Sequence, residues 1–453
     1  MDFSDWRHYG DNPVADGVLP GRLGITPVLH SIPRFNEYER SLVRDLGSYD
    51  AYCIATLMAR YRFDHEPSTA QEFAYTRVSL YLVSYVLWVL SDAVNRGIEN
   101  LYFISRDGHH LKRIADAVIK EQNLGIATHY LYGSRKVWWI ASFVDHIDAE
   151  FFLGLESLKE SCRFSDILDS LSLDARAFHR IFPQFPEWSQ RTRLPLPDVK
   201  SIVQAAKASK AYENHILELA RSRRPMVCQY LRESVDLEKR SAFVEYWGRG
   251  FTQTCFGRLL ACAHETPLST EFYYARSIYQ SDATGVRRNF TVSKSSLLPV
   301  ERLFANFPRS TVTAYERGDM GKTQAVTYPR QHDEALFSAM EALLPQFALD
   351  LCRAGLFDKA DTLRRVFDWS IGRFSTDLSD RVVWEPFARL KYVNRSFGEE
   401  TEFAPAFGLR ALWQALLGRK PESESVEISL KRSVWLIRMA YSVVFSLRRH
   451  KSL

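Results

Sequence analysis

The sequence predicts an α/β protein with a largely parallel sheet, and three observations carry that expectation. Short apolar runs of strand length occur at residues 101–104 (Leu-Tyr-Phe-Ile), 129–132 (His-Tyr-Leu-Tyr), 242–246 (Ala-Phe-Val-Glu-Tyr) and 271–275 (Glu-Phe-Tyr-Tyr-Ala). Stretches with apolar residues at helical spacing separate them, as crossovers between parallel strands require. Two turns of unusual composition, Ser105-Arg106-Asp107-Gly108 and Gly248-Arg249-Gly250-Phe251-Thr252, each follow one of the runs. In parallel sheets ligands sit beyond the carboxyl ends of the strands, so both turns belong on the ligand-binding edge.

Taken in order, residues 1–97 form an N-terminal arm and helices. The first 40 residues or so are rich in Gly and Pro without clear period and read as an arm lying on the surface. Residues 36–62 and 69–96 carry apolar positions at helical spacing, with Gly97 as the stop. Residues 98–146 make the first part of the α/β core: strand, Ser-Arg-Asp-Gly turn, helix over 110–120, then the second strand. Residues 147–240 lack strand signals but hold amphipathic stretches such as 149–158 and 203–220, which predicts a large helical insertion. The core resumes over 241–330, with a Gly-rich turn and a helix over 254–263. A helical C-terminal region follows over 331–420, with helices expected at 334–352, 359–369 and 407–417. Pro421-Glu422-Ser423-Glu424-Ser425 reads as a linker to a basic tail ending at residue 453.

Composition narrows the function classes. With 453 residues, 46% apolar and 25% charged, the chain can bury a large core divided into two or three units. A formal net charge of +5 is too small for a body that depends on neutralising nucleic-acid phosphates, so nucleic acid is not an expected partner. Six cysteines are scattered with no C-x-x-C pair, which points away from a disulfide framework or zinc fingers and towards a reducing compartment. The mixed, acidic start has no signal-peptide pattern, and a cytoplasmic location is expected. The longest apolar run, residues 78–90, falls short of the roughly 20 residues that span a bilayer and reads as a buried helix. Aromatic residues make up 13% of the chain, suited both to helix packing and to stacking on sugar-like ligands.

A phosphate needs several N–H donors aimed at one place, and a Gly-containing turn entering a helix supplies them along with a favourable dipole. In residues 247–254, Gly248 and Gly250 relax the backbone, Thr252 and Thr254 bring hydroxyls to the helix start, and Arg249 adds charge. Glu245, at the preceding strand end, can accept hydrogen bonds from a ribose diol. The same turn also suits a purely structural helix cap. In the first turn Arg106 and Asp107 bring a cation and an anion to a strand exit, with His109 and His110 next; a local ion pair with Asp107 capping the helix is the alternative. After the second strand come Ser134, Arg135 and Lys136, then Trp138 and Trp139, which serve either as a phosphate clamp or as a solvated basic edge. Glu301, Arg302 and Arg309 are further contributors or surface ion pairs, and His264 and His332 lack partners at metal-like spacing.

These residues carry a resemblance. A strand-end turn of Arg-x-Gly type, a second strand leading to Arg-Lys, and a later strand whose acidic end runs into a Gly-x-Thr loop resemble the type I phosphoribosyltransferase fold, a Rossmann-like core. The resemblance covers about residues 98–280. It implies phosphoribosyl pyrophosphate as donor, with Mg2+ bound through it. Ser105, Arg106, Asp107 and Gly108 resemble the pyrophosphate turn, and Arg135 and Lys136 the basic pair. Glu245, Gly248, Arg249, Gly250, Phe251, Thr252 and Thr254 fall on the loop that holds the 5-phosphate and ribose. Val244 stands where that loop has its first acid and Arg249 where it has its first threonine. Those departures point to a divergent branch, similar to the phosphoribosyltransferases of bacterial cell-surface polysaccharide assembly, capsule or O-antigen.

The branch implies transfer of 5-phosphoribosyl to a glycan hydroxyl with inversion to a β-ribofuranoside, and a separate phosphatase acting on the product. The glycan acceptor would be lipid-linked and held by the insertion and C-terminal helices. Arg106, Asp107 and Glu245 would be catalytic, Asp107 being the first choice of base. Residues 431–451 hold six Lys or Arg among apolar residues that include Trp435 and Phe445. They form either a docked helix or a peripheral contact, through 429–453, with the inner face of the cytoplasmic membrane. Two rivals remain: a haloacid-dehalogenase-type sugar phosphatase, which needs two Asp separated by one residue where this turn has one, and a non-catalytic scaffold of polysaccharide assembly.

Overall fold

The computed structural model describes residues 3–29, 34–158, 161–266, 269–278, 285–309, 311–318, 321–327, 331–392, 401–417 and 423–449. The chain divides into two compact units, Met1–Ser68 and Thr69–Leu453. In the first, Arg7–Gly10 pairs in parallel with Thr26–Leu29. The helical pattern of residues 36–62 is two helices, Glu37–Leu46 and Tyr49–His65. Gly47 at φ 57° ends the first, and the Ser48 side chain caps the second, so a sterically permissive residue and a good N-cap break the run.

The second unit is built on one five-stranded sheet. Its strands are β1 (Asn100–Ile104), β2 (Ala127–Leu131), β3 (Ser241–Val244), β4 (Thr270–Tyr274) and β5 (Gly285–Asn289). They lie in the order β5-β4-β3-β1-β2, all parallel. The chain runs from β1 outward to the β2 edge, then returns across β1 to continue through β3, β4 and β5. The direction of winding therefore reverses between β1 and β3, where parallel sheets open a crevice at their carboxyl ends.

Side chains alternate across the sheet with the period of two that strands impose. Tyr102, Ile104, Phe243, Phe272 and Tyr274 join one core cluster with three helices on that face: α3 (Arg135–Ser142), α4 (Lys210–Ser234) and α5 (Phe251–His264). On the other face Trp88 of α1 (Ser79–Asn95) meets Tyr273 edge to face at 5.5 Å. There α1 packs with α2 (Gly108–Gln122), α7 (Glu334–Arg353) and α8 (Ala360–Asp377). The short helix between β5 and the C-terminal region is α6 (Leu298–Ala305).

The helical stretch Thr69–Asn95, which ends in α1, is longer than its apolar run suggested, and it and Glu334–Arg353 are long and apolar enough to cross a bilayer. The first has 83% of its apolar window buried within the protein, and side chains from Leu80 to Val89 are almost all inaccessible, so its apolarity is accounted for by packing on the sheet.

Residues 147–240 are mainly helical, with one short antiparallel pair of Cys162–Arg163 and Arg193–Leu194 that had no sequence signal, and have their own core. Phe164, Phe178, Phe182, Tyr212 and Ile216 pack in a cluster that also contains Ile140 of α3 and Phe251 of α5. The far half of α4 leaves this cluster, and its Val227, Tyr230 and Leu231 enter the sheet core. The insertion is thus fastened to the first turn of α5, beside the Gly-rich loop.

The last sheet strand and a hairpin, Ala314–Arg317 with Thr323–Val326, had no apolar pattern to announce them. β5 reads Gly-Val-Arg-Arg-Asn; an edge strand buries little, and its signal is correspondingly thin. In the C-terminal region α8 runs eight residues past the expected 369, because Ser370, Ile371 and Phe374 are also buried. Two further helices are α9 (Leu409–Leu416) and α10 (Trp435–Arg449). Ser425 caps the helix Val426–Arg432, so the last part of the expected linker is a helix start; residues 421–422 lie outside the described residues.

Gly108 is where α2 touches the end of β1. A Cβ there would lie 2.6 Å from the Phe103 carbonyl carbon and 2.8 Å from its oxygen, both backbone atoms. Gly108→Ala should cost about 3 kcal/mol in urea unfolding, the upper end of overpacking effects. Gly97→Ala, at φ 66° in open space, should cost only about 1 kcal/mol of backbone strain.

Candidate functional site

The two special turns meet. β1 and β3 are hydrogen-bonded neighbours, with Phe103 opposite Val244, so Ser105–Gly108 and Glu245–Gly250 leave the same edge of the sheet side by side. Each turn is held from behind. The Ser105 hydroxyl donates to the Gly133 carbonyl (2.8 Å) and accepts from the Gly133 N–H (2.9 Å), tying the loop after β1 to the loop after β2. The Glu245 N–H donates to Tyr273 O at 3.0 Å, and its carbonyl accepts from the Tyr85 hydroxyl at 2.9 Å. Beyond Glu245 the strand resumes briefly, Trp247–Gly248 pairing with Arg276–Ser277.

The helix starts at this edge are uncapped. Asp107 precedes α2, but its side chain makes no capping hydrogen bond, so of the structural role the sequence left open only the pairing of its charge with Arg106 remains. No side chain caps α5 either, so its opening N–H groups keep their donor capacity and the positive end of the helix dipole. Gly250, at φ 81°, makes the turn into α5. Thr252 Oγ1 accepts from Trp139 Nε1 at 3.3 Å, which brings α3 to that first turn, and Thr254 Oγ1 bonds back to Gly250 O at 3.3 Å. Arg249 is exposed.

Three carboxyl groups and two guanidinium groups share this edge. Burial raises the Asp107 pKa, opposed by Arg106 and Arg135. Burial and the Asp107 charge push Glu245 up to about 7, with Tyr274 and Arg135 pulling the other way. Glu301, on α6, is also pushed to about 7 by burial and Asp107, against Arg135, Arg106 and Arg302. Arg135 is common to all three, and Asp107 acts on both glutamates. Like charges this close resist joint ionisation, so the cluster gains from any cation or donor that enters it.

Polar atoms at the site lack partners among the described residues. Glu245 Oε2, Trp247 Nε1 and the Tyr274 hydroxyl are buried without a well-formed hydrogen bond, although Tyr274 lies near enough to Glu245 to affect its ionisation. Buried polar atoms are usually satisfied, and the unsatisfied Glu245 Oε2 and Tyr274 hydroxyl, side chains that meet beside Gly248, leave capacity that a polar ligand could use.

Other sequence candidates separate. Lys136 acts on Asp169 of the insertion, where it lowers a pKa that burial raises. Trp138 is fully buried in the sheet core, whereas Trp139 lies against Phe251, at 4.9 Å between rings, with the Arg135 guanidinium 5.9 Å from its ring. Arg302 is buried over Phe403 and pairs with Glu424 at 3.3 Å, so it braces α6. Arg309 donates to the Tyr132 hydroxyl at 3.0 Å and lines a cavity of ≈ 510 Å³ with His109, Lys112, Tyr130 and Phe307. His332 pairs with Glu334 at 2.7 Å. His264 borders a second cavity of ≈ 530 Å³ with Asp236 and Glu238, which precede β3 and so mark the amino end of the sheet, away from the crevice.

Arg287 of β5 was not foreseen. Its Nε donates to Gln253 Oε1 at 3.0 Å, and its guanidinium lies where a side chain at Gly250 would have to go, 2.6 Å from the ideal Cβ position. The Arg-Arg pair in a segment without apolar pattern was the only signal that could have found it. Compared with models of known protein families and with curated proteins, the chain shows no match.

The raised Glu245 pKa has a consequence for stability. A carboxyl group whose folded pKa exceeds its unfolded one binds protons more tightly when folded, so its stabilising effect is present below pH 4.5 and is lost as pH rises through about 7. Glu245→Gln should therefore raise stability at pH 8 by about 3 kcal/mol, each pKa unit being worth ~1.4 kcal/mol, and change little at pH 4.5. Thermal melts at the two pH values measure it; equal shifts at both would show that Glu245 ionises normally.

Proposed function

We propose that the crevice between β1 and β3 binds phosphoribosyl pyrophosphate and that the protein is a phosphoribosyltransferase acting on a glycan hydroxyl, on a phosphoribosyltransferase-like core. The observation that supports this most directly is the adjacency of the Ser-Arg-Asp-Gly turn and the Gly-Arg-Gly-Phe-Thr turn at the point where the strand order reverses. A donor with a phosphate at one end and a pyrophosphate at the other needs anion sites at two turns a ribose apart. Arg106 and Arg135 suit the pyrophosphate, and the uncapped start of α5, with Arg249 and Arg287 beside it, suits the 5-phosphate.

Mg2+ takes oxygen ligands and keeps part of its water, and the donor's phosphates would carry it. Glu245, whose Oε2 is unpartnered, is the carboxylate that would face it. When bound it supplies positive charge against the pyrophosphate. In the proposed reaction the acceptor oxygen bonds to the anomeric carbon as the bond from that carbon to pyrophosphate oxygen breaks. The leaving pyrophosphate keeps the electron pair, stabilised by Arg106 and Arg135. The acceptor proton passes to a carboxylate, with Asp107 first because it lies in the turn after β1 without a capping duty. Attack opposite the leaving group gives the β-ribofuranoside. The insertion shares its core with Phe251, which suits it to border the acceptor side.

The C-terminal helices support a peripheral contact with an anionic bilayer at the inner membrane face, consistent with a lipid-linked acceptor. α9 and α10 pack on each other around Phe407, Ala415, Ile437 and Tyr441. Away from that seam, Leu409, Trp413 and Leu416 and then Trp435, Leu436 and Met439 are each more than half exposed. Of the residues expected on the apolar side, the side chain of Phe445 and residues 450–453 lie outside the described residues. Residues 407–453 hold nine of the 59 basic residues and three of the 54 acidic ones, which leaves 50 against 51 over the rest. The excess positive charge therefore lies in the same stretch of sequence as the exposed apolar side chains, a combination suited to anionic surfaces.

Calorimetric titration with phosphoribosyl pyrophosphate and Mg2+ tests the reading, with saturable binding at one site per chain expected. Arg135→Ala should weaken it about 10- to 100-fold, the value of a lost charge-assisted contact. Asp107→Asn should keep donor binding and lower turnover by about 10²- to 10⁴-fold. No binding by the wild-type protein would overturn the assignment. For the tail, sedimentation with phosphatidylglycerol-containing vesicles should be strong at low salt and weakened by Trp435→Asp with Leu436→Asp. Concentration-dependent dimerisation without vesicle binding would instead assign that face to a second copy of the chain.

A further inference from the structure

Immediately after Gly108 lies a group that the transferase reading does not use. His109 and His110 occupy the first turn of α2, and Glu341 reaches them from α7, which packs along it. One oxygen, Glu341 Oε1, lies 2.9 Å from His109 Nε2 and 3.1 Å from His110 Nδ1. All three potential ligand atoms fall within 4.8 Å of one another. His110 is only 3% exposed, and neither of its ring nitrogens makes a well-formed hydrogen bond, so the short approach of Nδ1 to Glu341 is contact without proper alignment. A buried imidazole left this way is an unusual cost unless something else engages it.

We propose that His109 Nε2, His110 Nδ1 and Glu341 Oε1 bind a divalent transition ion of the Zn2+ class, with a fourth position open to the adjoining cavity. Ligand atoms around a tetrahedral zinc sit about 3.4 Å apart for bonds of about 2.1 Å, so the two nitrogen-to-oxygen separations need to widen by only a few tenths of an ångström. Two imidazoles and one carboxylate favour zinc over Mg2+, which prefers oxygen ligands and water.

The surroundings fit the same assignment. Arg113 Nε holds the second oxygen of Glu341 at 3.1 Å, and its Nη2 donates to the Glu341 carbonyl at 3.1 Å, which orients the carboxylate as an outer partner does in metal centres. Phe337 and Phe307 pack against the histidine rings, at 5.5 Å from His110 and 4.7 Å from His109, and fix their planes. Three protein ligands with one position facing a cavity of ≈ 510 Å³ is the pattern of a reactive or ligand-binding zinc rather than a closed structural one. Arg309 on the cavity wall favours an anionic oxygen ligand for that position, while Lys112 beside it is paired with Asp116 at 2.8 Å. The assignment stands apart from donor binding, since it uses none of Arg106, Asp107, Arg135 or Glu245.

Metal-free full-length protein titrated with ZnCl2 in competition with a chromophoric chelator decides the matter. One ion per chain at submicromolar affinity is expected, with Mg2+ failing to compete at millimolar concentration. His110→Asn and Glu341→Gln should each weaken binding on the order of a hundredfold or more, and Arg113→Ala by about tenfold. Should His110→Asn not fold, His109→Asn, whose ring is partly exposed, carries the same test. Co2+ added to the wild-type protein should give visible d–d absorption of a four- or five-coordinate site, a readout independent of any variant. Less than one equivalent bound, Mg2+ binding as tightly as Zn2+, or affinity unchanged in Glu341→Gln would overturn the proposal.

Discussion

The hydrogen bonds between β1 and β3 are the constraint from which the site follows. Those strands are far apart in sequence, separated by a crossover helix, a second strand and the whole helical insertion, yet Phe103 and Val244 are register partners. Register has little freedom here: both strands are buried, and a slip of one residue would send Tyr102 and Phe243 from the core they share with Phe256 and Phe272 to the opposite face. With that register set, the turn after each strand has nowhere to go but beside the other. Packing that has no direct part in chemistry thus decides which charges meet.

What those charges do to the fold is unfavourable by itself. Asp107, Glu245 and Glu301 are crowded and partly dehydrated, and two guanidinium groups do not offset the burial that raises all three pKa values. The surrounding structure tolerates this because it is fixed independently: the Ser105 and Gly133 bonds, the backbone clamp on Glu245 by Tyr273 and Tyr85, and the continuous apolar layer of α1. Ligand sites commonly sit where a rigid frame holds groups that would relax apart if freed.

Much of this was legible in the residues, and the omissions have physical causes. Four of the five sheet strands were visible because central strands are apolar over their whole length; β5 was not, because an edge strand with Arg287 and Arg288 has no such signature. The two turns were legible as a pair only through the assumption of a parallel sheet, since sequence carries no register. Asp107 reads equally as a helix cap until its side chain is seen to make no such bond. Neighbours in sequence also parted: Arg135 faces the carboxyl groups while Lys136 acts on the insertion, and Trp138 enters the core while Trp139 flanks α5, as adjacent helical positions must. The meeting of His109 and His110 with Glu341 depends on α2 and α7 packing, which no local pattern records.

The contact of Arg287 with Gly250 makes the outermost strand part of the loop's environment. Sheet borders are where protein families accept insertions and exchanges most freely, because little is buried there and few neighbours object. Here a guanidinium from the border rests against the glycine that turns the chain into α5, in space that any side chain at position 250 would occupy. Variation at this border would reach the anion loop without altering a single loop residue, giving the lineage a route to retune ligand preference while the central strands stay unchanged.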